Sequence, residues 1–226
     1  MSRKYDAVVF DLDGTLLDTL DDLTSSANAA ARAYGFEEHS RDEISSFVGN
    51  GIRRLIERML PDGVANPYFE DVYRYFCEYY GQHCMDETEP YPGVMALLDY
   101  LHKEGCRLAI VSNKADFAVK KLRDVYFGEL IEVAVGEREG CRRKPAPDAV
   151  WQALEELRVE RGRAVYVGDS DVDLMTAQNA GMDGILVSWG FRSREFLLAH
   201  GGKPEQIAAN VNEVKNLLAP SGDMSA

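Results

Sequence analysis

The sequence predicts an α/β protein, with an open parallel β-sheet that is interrupted by an inserted bundle of helices. Three observations lead to this prediction. Five short apolar runs recur along the 226 residues, helical periodicity follows most of them, and a long segment between the first two runs shows only helical patterns. Strands that alternate with helices are typical of a parallel sheet with right-handed crossovers.

The five predicted strands are short and almost continuously apolar. Such runs suit strands that are buried on both faces of a parallel sheet, because a half-exposed strand would alternate apolar and polar residues. The runs begin at Ala7 (AVVF), Arg107 (RLAIVS), Glu132 (EVAV), Ala164 (AVYVGD) and Gly184 (GILVSWG).

The segments between these runs carry the periodicity of amphipathic helices. The stretch VMALLDYLHKEG places four apolar residues on one helical face and ends at Gly105, a predicted C-cap. The stretch PAPDAVWQALEEL starts with proline, whose missing N–H is harmless in the first turn of a helix.

The inserted segment between Leu16 and Pro90 shows three amphipathic stripes and no strand pattern. Stripes at helical spacing most simply pack on one another as a small bundle. We therefore expect residues 1–15 and 91–226 to form an α/β core domain, and residues 16–90 to form a helical cap domain. The stripes are Leu20, Leu23, Ala27, Ala30 and Tyr34; Ile52, Leu55, Ile56 and Met59; and Phe69, Val72, Tyr73, Phe76 and Tyr80.

Composition excludes several partners and locations. A formal net charge of −13 argues against nucleic acid or an anionic membrane as partner, because both would be repelled. No run approaches the roughly 18 apolar residues of a membrane span. The four-residue apolar run before Asp11 is too short for a signal peptide, and the four cysteines lack metal-ligand spacing. These features predict a cytoplasmic protein with reduced thiols, and they leave the oligomeric state open.

Polar residues end the predicted strands. Ligands of an open parallel sheet bind beyond the carboxyl ends of its strands, near the point where the strand order reverses. Side chains that are scattered in the sequence are therefore expected to converge there. They are Asp11 and Asp13, Ser112 and Asn113, and Asp169, with Lys144 in the loop after the third strand.

These residue types suit metal-assisted phosphate chemistry. Carboxylates in an open arrangement are ligands for Mg²⁺, and a lysine and a hydroxyl can neutralise and bind phosphate oxygens. One aspartate can act as a nucleophile and another as general acid and base. A calcium loop is a poor alternative, because glycine and glutamate are missing from the positions that an EF-hand requires. Taken alone, GDSDVD could be a helix cap and Lys144 one charge of a basic turn.

The four elements DLDGT, SN, RKPAP and GDSDVD resemble, in this order, the four motifs of the haloacid dehalogenase superfamily. The inserted helices resemble its α-helical cap. The resemblance implies a Rossmann-like core and a Mg²⁺ ion bound by Asp11, the Asp13 carbonyl and Asp169. It further implies the roles of nucleophile for Asp11, acid and base for Asp13, charge stabilisation for Ser112 and Lys144, and an accessory metal role for Asp173. Gly14, Thr15 and Asn113 are expected to contact the phosphate.

Within the superfamily, the sequence favours a phosphatase. Dehalogenases lack the second aspartate, and the Schiff-base lysine of phosphonatases has no counterpart, since residues 16–90 contain no lysine. The histidine that phosphoglucomutase-like members carry after the first motif is also missing, which makes a mutase less favoured. The loop FVGNGIRRLIERML is similar to that of phosphoglycolate phosphatases, so Asn50, Gly51 and Arg53 are expected to contact the substrate.

The sequence therefore predicts a phosphomonoester hydrolase for a small phosphorylated metabolite, with 2-phosphoglycolate favoured. Pyrophosphate, sugar phosphates and nucleoside monophosphates remain competing substrates. Two further functions stay open, namely a mutase and a signalling module that is phosphorylated on aspartate.

Overall fold

The computed structural model describes residues 3–220. Residues 1–2 and 221–226, at the ends of the predicted core domain, lie outside the described residues. The chain divides into two compact units, of which the first holds the chain up to Leu16 and from Pro90 onward. The second unit is Leu17–Glu89, and its role as a cap remains a prediction.

Six strands of the first unit form one parallel sheet, in the order β5-β4-β1-β6-β7-β8. This confirms the predicted open α/β sheet. In chain order the strands are β1 (Ala7–Phe10), β2 (Leu17–Asp18), β3 (Glu89–Pro90), β4 (Arg107–Ala115), β5 (Val133–Glu137), β6 (Ala164–Gly168), β7 (Asp183–Val187) and β8 (Ile207–Ala208).

Helices occupy most of the remaining chain. In chain order they are α1 (Leu20–Ala33), α2 (Arg41–Phe47), α3 (Ile52–Met59), α4 (Phe69–His83), α5 (Val94–Lys103), α6 (Asp116–Tyr126), α7 (Asp148–Leu157), α8 (Asp171–Ala180), α9 (Arg194–Ala199) and α10 (Val211–Leu218). Within the described residues, none of these helices has the length and apolar character needed to cross a membrane.

The strand β1 lies inside the sheet and is flanked by β4 and β6. Its four residues are at most 1% exposed, as expected for an apolar run that is covered on both faces. The chain builds the sheet to one side of β1 with β4 and β5, and then to the other side with β6, β7 and β8. The strand order therefore reverses at β1, which is where a ligand site is expected.

The core of the first unit includes an apolar layer between the sheet and α7. The buried face of α7 includes Val150, Ala153 and Leu157, which cluster with Val9 of β1 and with side chains of β4, β5 and β6. These residues exclude water from one face of the central strands. The packing of α7 against the central strands thereby fixes the positions of the strand ends, where the polar residues lie.

The second unit is built by α1 to α4, with α1 packed against α4. Most residues of the three predicted stripes are buried, among them Ala27, Ile56 and Phe76. The carboxylate of Asp22 accepts hydrogen bonds from the backbone N–H groups of Glu87 and Thr88, so it ties the start of α1 to the end of the unit.

The structure corrects the prediction that residues 16–90 contain no strand. The two-residue strands β2 and β3 pair as a small sheet where the chain passes between the units. The sequence analysis also missed β8, α2, α9 and α10. The helix α2 buries only Ile44, so it has no apolar stripe, although Ser40 and Glu43 form a capping box that marks its start.

Candidate active site

Strand register brings the predicted site residues to one edge of the sheet. Phe10 of β1 is level with Ile110 of β4 and with Val167 of β6. Asp11 therefore follows β1 within one residue of the level at which Ser112 lies on β4 and Asp169 follows β6. The Asp11 N–H donates to the Val167 carbonyl at 2.9 Å, which continues the sheet pairing up to the site.

Lys144 connects the aspartates of this edge. Its Nζ atom lies 2.9 Å from Asp11 Oδ1 and 2.7 Å from Asp173 Oδ1, and its side chain is 3% exposed. A buried ammonium group needs such partners, because an unpaired charge inside a protein is costly. Burial lowers the pKa of Lys144, but the carboxylates of Asp11 and Asp173 outweigh it and hold that pKa well above its usual value. Lys144 is therefore a fixed positive charge beside Asp11.

Asp173 is held at the start of α8 by hydrogen bonds to both of its carboxylate oxygens. Oδ1 accepts from Lys144 Nζ and from the hydroxyl of Tyr166, at 2.7 and 3.2 Å. Oδ2 accepts from the Asp169 N–H and from the N–H and Oγ of Ser170, the latter at 2.6 Å. Because its carboxylate accepts hydrogen bonds from all of these donors, Asp173 holds the Lys144 side chain and the first turn of α8 in place.

Three carboxylates lie close enough to share a metal ion. One ligand atom each from Asp11, Asp169 and Asp173 falls within 4.8 Å of the others, and all three residues are buried. Burial, together with the neighbouring Asp173 and Asp11 charges, raises the pKa of Asp169 well above its usual value. Burial also raises the pKa of Asp11 to about 7; Lys144 opposes this rise, and Asp173 and Asp13 add to it.

Buried carboxylates with raised pKa values gain stability from a cation, since it favours their ionised form. Hard oxygen ligands of this kind match Mg²⁺, which keeps several coordination positions for water and phosphate. The residues present therefore fit the predicted ion. The hydrogen bonds of Asp173 distinguish it from Asp11 and Asp169, which makes these two the better candidates for direct ligands.

Asp13 follows Asp11 by two residues and pairs with a lysine that the sequence analysis did not single out. Lys114 Nζ lies 2.6 Å from Asp13 Oδ1. Asp13 thus belongs to the same edge of the sheet as Asp11, while its carboxylate has a separate basic partner.

Ser112 and Asn113 lie within β4, which runs on to Ala115 and does not end at these residues as predicted, and both are buried. The Ser112 Oγ accepts a hydrogen bond from the Lys114 N–H at 3.3 Å. The Asn113 side chain accepts from the Lys144 N–H at 2.8 Å and donates to the Lys144 carbonyl at 3.1 Å. Asn113 therefore fixes the backbone that carries Lys144. Its predicted contact with phosphate stays a prediction.

Gly14 and Thr15 form the turn after Asp13. Gly14 has a φ of +80°, and a Cβ at this position would lie 2.7 Å from Cγ of Asp169. Glycine is required on both grounds. Thr15 is buried, and its carbonyl accepts a hydrogen bond from Trp189 Nε1 at 3.1 Å.

The predicted substrate contacts Asn50, Gly51 and Arg53 belong to the second unit. Gly51 caps the start of α3 with a φ of +81°. Arg53 pairs with Glu70 and lies about 5 Å from the ring centres of two aromatic residues of α4. These contacts lie within the second unit, so the substrate role of the three residues stays a prediction.

Several residues of the site have no strong sequence signal. Tyr166 lies inside the apolar run of β6 and is typical of a core aromatic residue, yet its hydroxyl bonds to Lys144 and Asp173. Trp189 and Phe191 lie in the loop after β7, at the edge of a predicted strand. For Lys114, a basic residue directly after an apolar strand ending in Ser-Asn was a usable signal.

The family model for haloacid dehalogenase-like hydrolases matches residues 8–187, which run from β1 to β7 and include Asp11, Lys144 and Asp169. The chain belongs to this hydrolase family. The resemblance drawn from the four motifs is thereby confirmed.

Similar proteins of the haloacid dehalogenase-like hydrolase family are named as phosphoglycolate phosphatases. The chain is 37% identical over 193 residues to the phosphoglycolate phosphatase of Cereibacter sphaeroides, covering 82% of this chain and 86% of the relative. It is 34% identical over 211 residues to that of Rhodobacter capsulatus, covering 90% and 94%. A solved structure from Lactobacillus delbrueckii subsp. bulgaricus, assigned as a phosphoglycolate phosphatase, superimposes with a TM-score of 0.90 at 36% identity, covering 96% and 99%. The protein is accordingly a phosphatase of this family, as predicted.

Proposed function

We propose that the protein is a Mg²⁺-dependent phosphomonoester hydrolase that acts on 2-phosphoglycolate through an aspartyl phosphate on Asp11. The observation that carries the proposal is the buried pair of Lys144 Nζ and Asp11 Oδ1, 2.9 Å apart, beside Asp169. A nucleophile needs such a fixed positive charge next to it when it approaches an anionic phosphate. The names of the relatives support the choice of substrate.

In the first step, a carboxylate oxygen of Asp11 attacks phosphorus and the bond to the leaving oxygen breaks. Lys144 offsets the negative charge that accumulates on the phosphoryl oxygens, and the Ser112 hydroxyl donates a hydrogen bond to them. When bound, Mg²⁺ neutralises charge on the phosphate and on the ionised aspartates.

Asp13 handles the protons of both steps. As an acid it protonates the leaving alkoxide, and as a base it then takes a proton from the water that attacks the aspartyl phosphate. The second step releases inorganic phosphate and restores Asp11. Lys114 keeps Asp13 in place through the 2.6 Å contact.

Substrate choice is assigned to the second unit. We propose that Asn50, Gly51 and Arg53 recognise the carboxylate of phosphoglycolate, since backbone N–H groups at a helix start and a guanidinium group both favour anions. Pyrophosphate, sugar phosphates and nucleoside monophosphates are the competing substrates.

A cytoplasmic location is part of the proposal. Within the described residues, none of the four cysteines forms a disulfide bond. This is the usual state of thiols in a reducing compartment.

The test is a panel of these phosphate esters, assayed with and without Mg²⁺ on the wild type and on Asp11→Asn. We expect 2-phosphoglycolate to have the highest kcat/KM, and Asp11→Asn to lose activity by on the order of 10⁴-fold or more while remaining folded. Asp171→Asn, which changes an aspartate of α8 outside the proposed ligand set, is the control. Substantial turnover by Asp11→Asn would refute the mechanism, and a higher kcat/KM for another ester would refute the substrate.

The lifetime of the phosphoenzyme separates an enzyme from a signalling module. Rapid multiple turnover supports the phosphatase, whereas a phospho-aspartate that persists for hours would support signalling. A sugar bisphosphate product would instead indicate a mutase.

A further inference from the structure

The loop after β7 places three consecutive residues against the metal-binding edge of the sheet. We propose that Trp189, Gly190 and Phe191, here called the clamp segment, position Asp169 for a divalent cation. The inference rests on the proposed function, because the cation is part of it. It assigns a positioning role to a segment outside the four motifs.

The backbone of Phe191 holds the Asp169 carboxylate directly. Its N–H donates to Asp169 Oδ2 at 2.7 Å, and Asp169 is 2% exposed. A hydrogen bond from a backbone donor restricts rotation of the carboxylate and directs its other lone pairs. Partners of this kind tune metal ligands in many proteins.

Gly190 makes this approach possible. A Cβ on Gly190 would overlap the carbonyl oxygen of Gly14 and would lie 2.5 Å from Asp169 Oδ2. Gly14 is equally close to Asp169 from its own side. The Asp169 carboxylate therefore lies in a cradle between two glycines from distant segments, and any side chain at either position would displace it.

Trp189 connects the clamp segment to the turn that follows the catalytic aspartates. Its Nε1 donates to the Thr15 carbonyl at 3.1 Å. One short segment thus contacts both Asp169 and the turn after Asp13, so that it holds the two sources of metal ligands at a constant distance. Carboxylates that would otherwise repel one another are kept together before a cation binds.

The first test is Mg²⁺ binding by isothermal titration calorimetry on the full chain, without substrate. We expect Gly190→Ala to bind Mg²⁺ about 10- to 100-fold more weakly than the wild type. Gly162→Ala is the matched control, because an added Cβ there meets no atom within 4 Å, and its Mg²⁺ affinity should equal that of the wild type. A folded Gly190→Ala with wild-type Mg²⁺ affinity would overturn the proposal.

A second variant tests the clamp segment if Gly190→Ala does not fold. Trp189→Phe keeps an aromatic ring but removes the N–H that binds Thr15. It should weaken Mg²⁺ binding about 2- to 10-fold, as expected for one lost hydrogen bond. Circular dichroism checks the fold of each variant. Unchanged Mg²⁺ affinity in Trp189→Phe would then overturn the proposal.

The two proposals can fail separately. A wild type that binds Mg²⁺ but hydrolyses no phosphate ester would refute the proposed function and leave the clamp segment testable by binding alone. A wild type that binds no Mg²⁺ would overturn the clamp proposal together with the metal requirement.

Discussion

Lys114 Nζ and Asp13 Oδ1 form an ion pair of 2.6 Å, in which the lysine side chain is 3% exposed and the aspartate 19% exposed. A pair this sheltered from water restricts the aspartate more than a surface pair would. The proposed acid and base therefore has its own basic partner, separate from the Lys144 that pairs with Asp11, the proposed nucleophile.

Lys114→Met should selectively impair the step that protonates the leaving group. We expect kcat/KM for 2-phosphoglycolate to fall about 10- to 100-fold, within the range that general acid catalysis contributes. The kcat/KM for p-nitrophenyl phosphate should fall much less, because nitrophenolate departs without a proton. Steady-state kinetics with both substrates measures the ratio.

The control for this prediction is Lys103→Met, which removes an exposed lysine that pairs with Asp99. It should leave both kcat/KM values unchanged. Equal losses for the two substrates in Lys114→Met would indicate general damage to the site instead of a positioning role.

Asp173→Ala should strongly destabilise the protein. The change leaves the buried Lys144 with one carboxylate fewer and removes an acceptor from Ser170 and the α8 start. Breaking a buried ion pair from one side typically costs about 3–5 kcal/mol. Urea unfolding measures the free energy, and Asp171→Ala in the same helical turn should lose no more than about 1 kcal/mol. Equal losses of unfolding free energy in the two variants would contradict the prediction that Asp173 stabilises the buried Lys144.

Mg²⁺ should raise the melting temperature of the wild type, since an ion that binds only the folded state stabilises it. At 100 times its Kd the ion contributes about 2.7 kcal/mol. Asp169→Asn should lose most of this rise, whereas Asp99→Asn, which changes a half-exposed aspartate of α5, should keep it. The measurement is a thermal melt with EDTA and with excess Mg²⁺, and an undiminished rise in Asp169→Asn would exclude Asp169 as a ligand.

Asp116, at the start of α6, should contribute stability that depends on pH. Burial raises its pKa, but Lys120, the Gly136 N–H and Arg138 outweigh burial and hold that pKa below its usual value. A lowered folded-state pKa means that the contribution is complete above the unfolded value near 4 and is lost as the pH falls through the folded value.

The experiment compares the wild type with Asp116→Asn by chemical denaturation between pH 7 and pH 3.5. The difference in unfolding free energy should be constant from pH 7 to about pH 5 and should shrink below about pH 4. If the difference in unfolding free energy between the two proteins grew as the pH fell, the prediction would be contradicted.

Much of the fold could be predicted because its central strands have a strong signal. The run AVVF is apolar at every position, and the structure buries it completely. The strand β8 has only two residues, which is too short to carry a period. The helix α2 was missed because one buried side chain, Ile44, defines no stripe.

The sequence predicted the site residues that lie at the carboxyl ends of the central strands. It did not predict the residues that reach the site through contacts between distant loops. Asp11 and Asp169 directly follow β1 and β6, and Ser112 lies on β4 within one residue of the level of Asp11, so their convergence follows from the sheet alone. Gly190 lies against Gly14, a residue far away in the sequence, because the fold brings their two loops together. No local pattern marks such a contact in the sequence.

The position of β1 inside the sheet has a consequence for synthesis of the chain. This strand is made first, yet its neighbour β6 follows only after about 150 further residues, which at 5–20 residues per second takes on the order of ten seconds or more. Until then, an apolar segment with unpaired backbone groups is exposed to other nascent chains. A polypeptide that terminates before Ala164 therefore keeps an unpaired strand edge, prone to aggregation, at the strand that precedes Asp11.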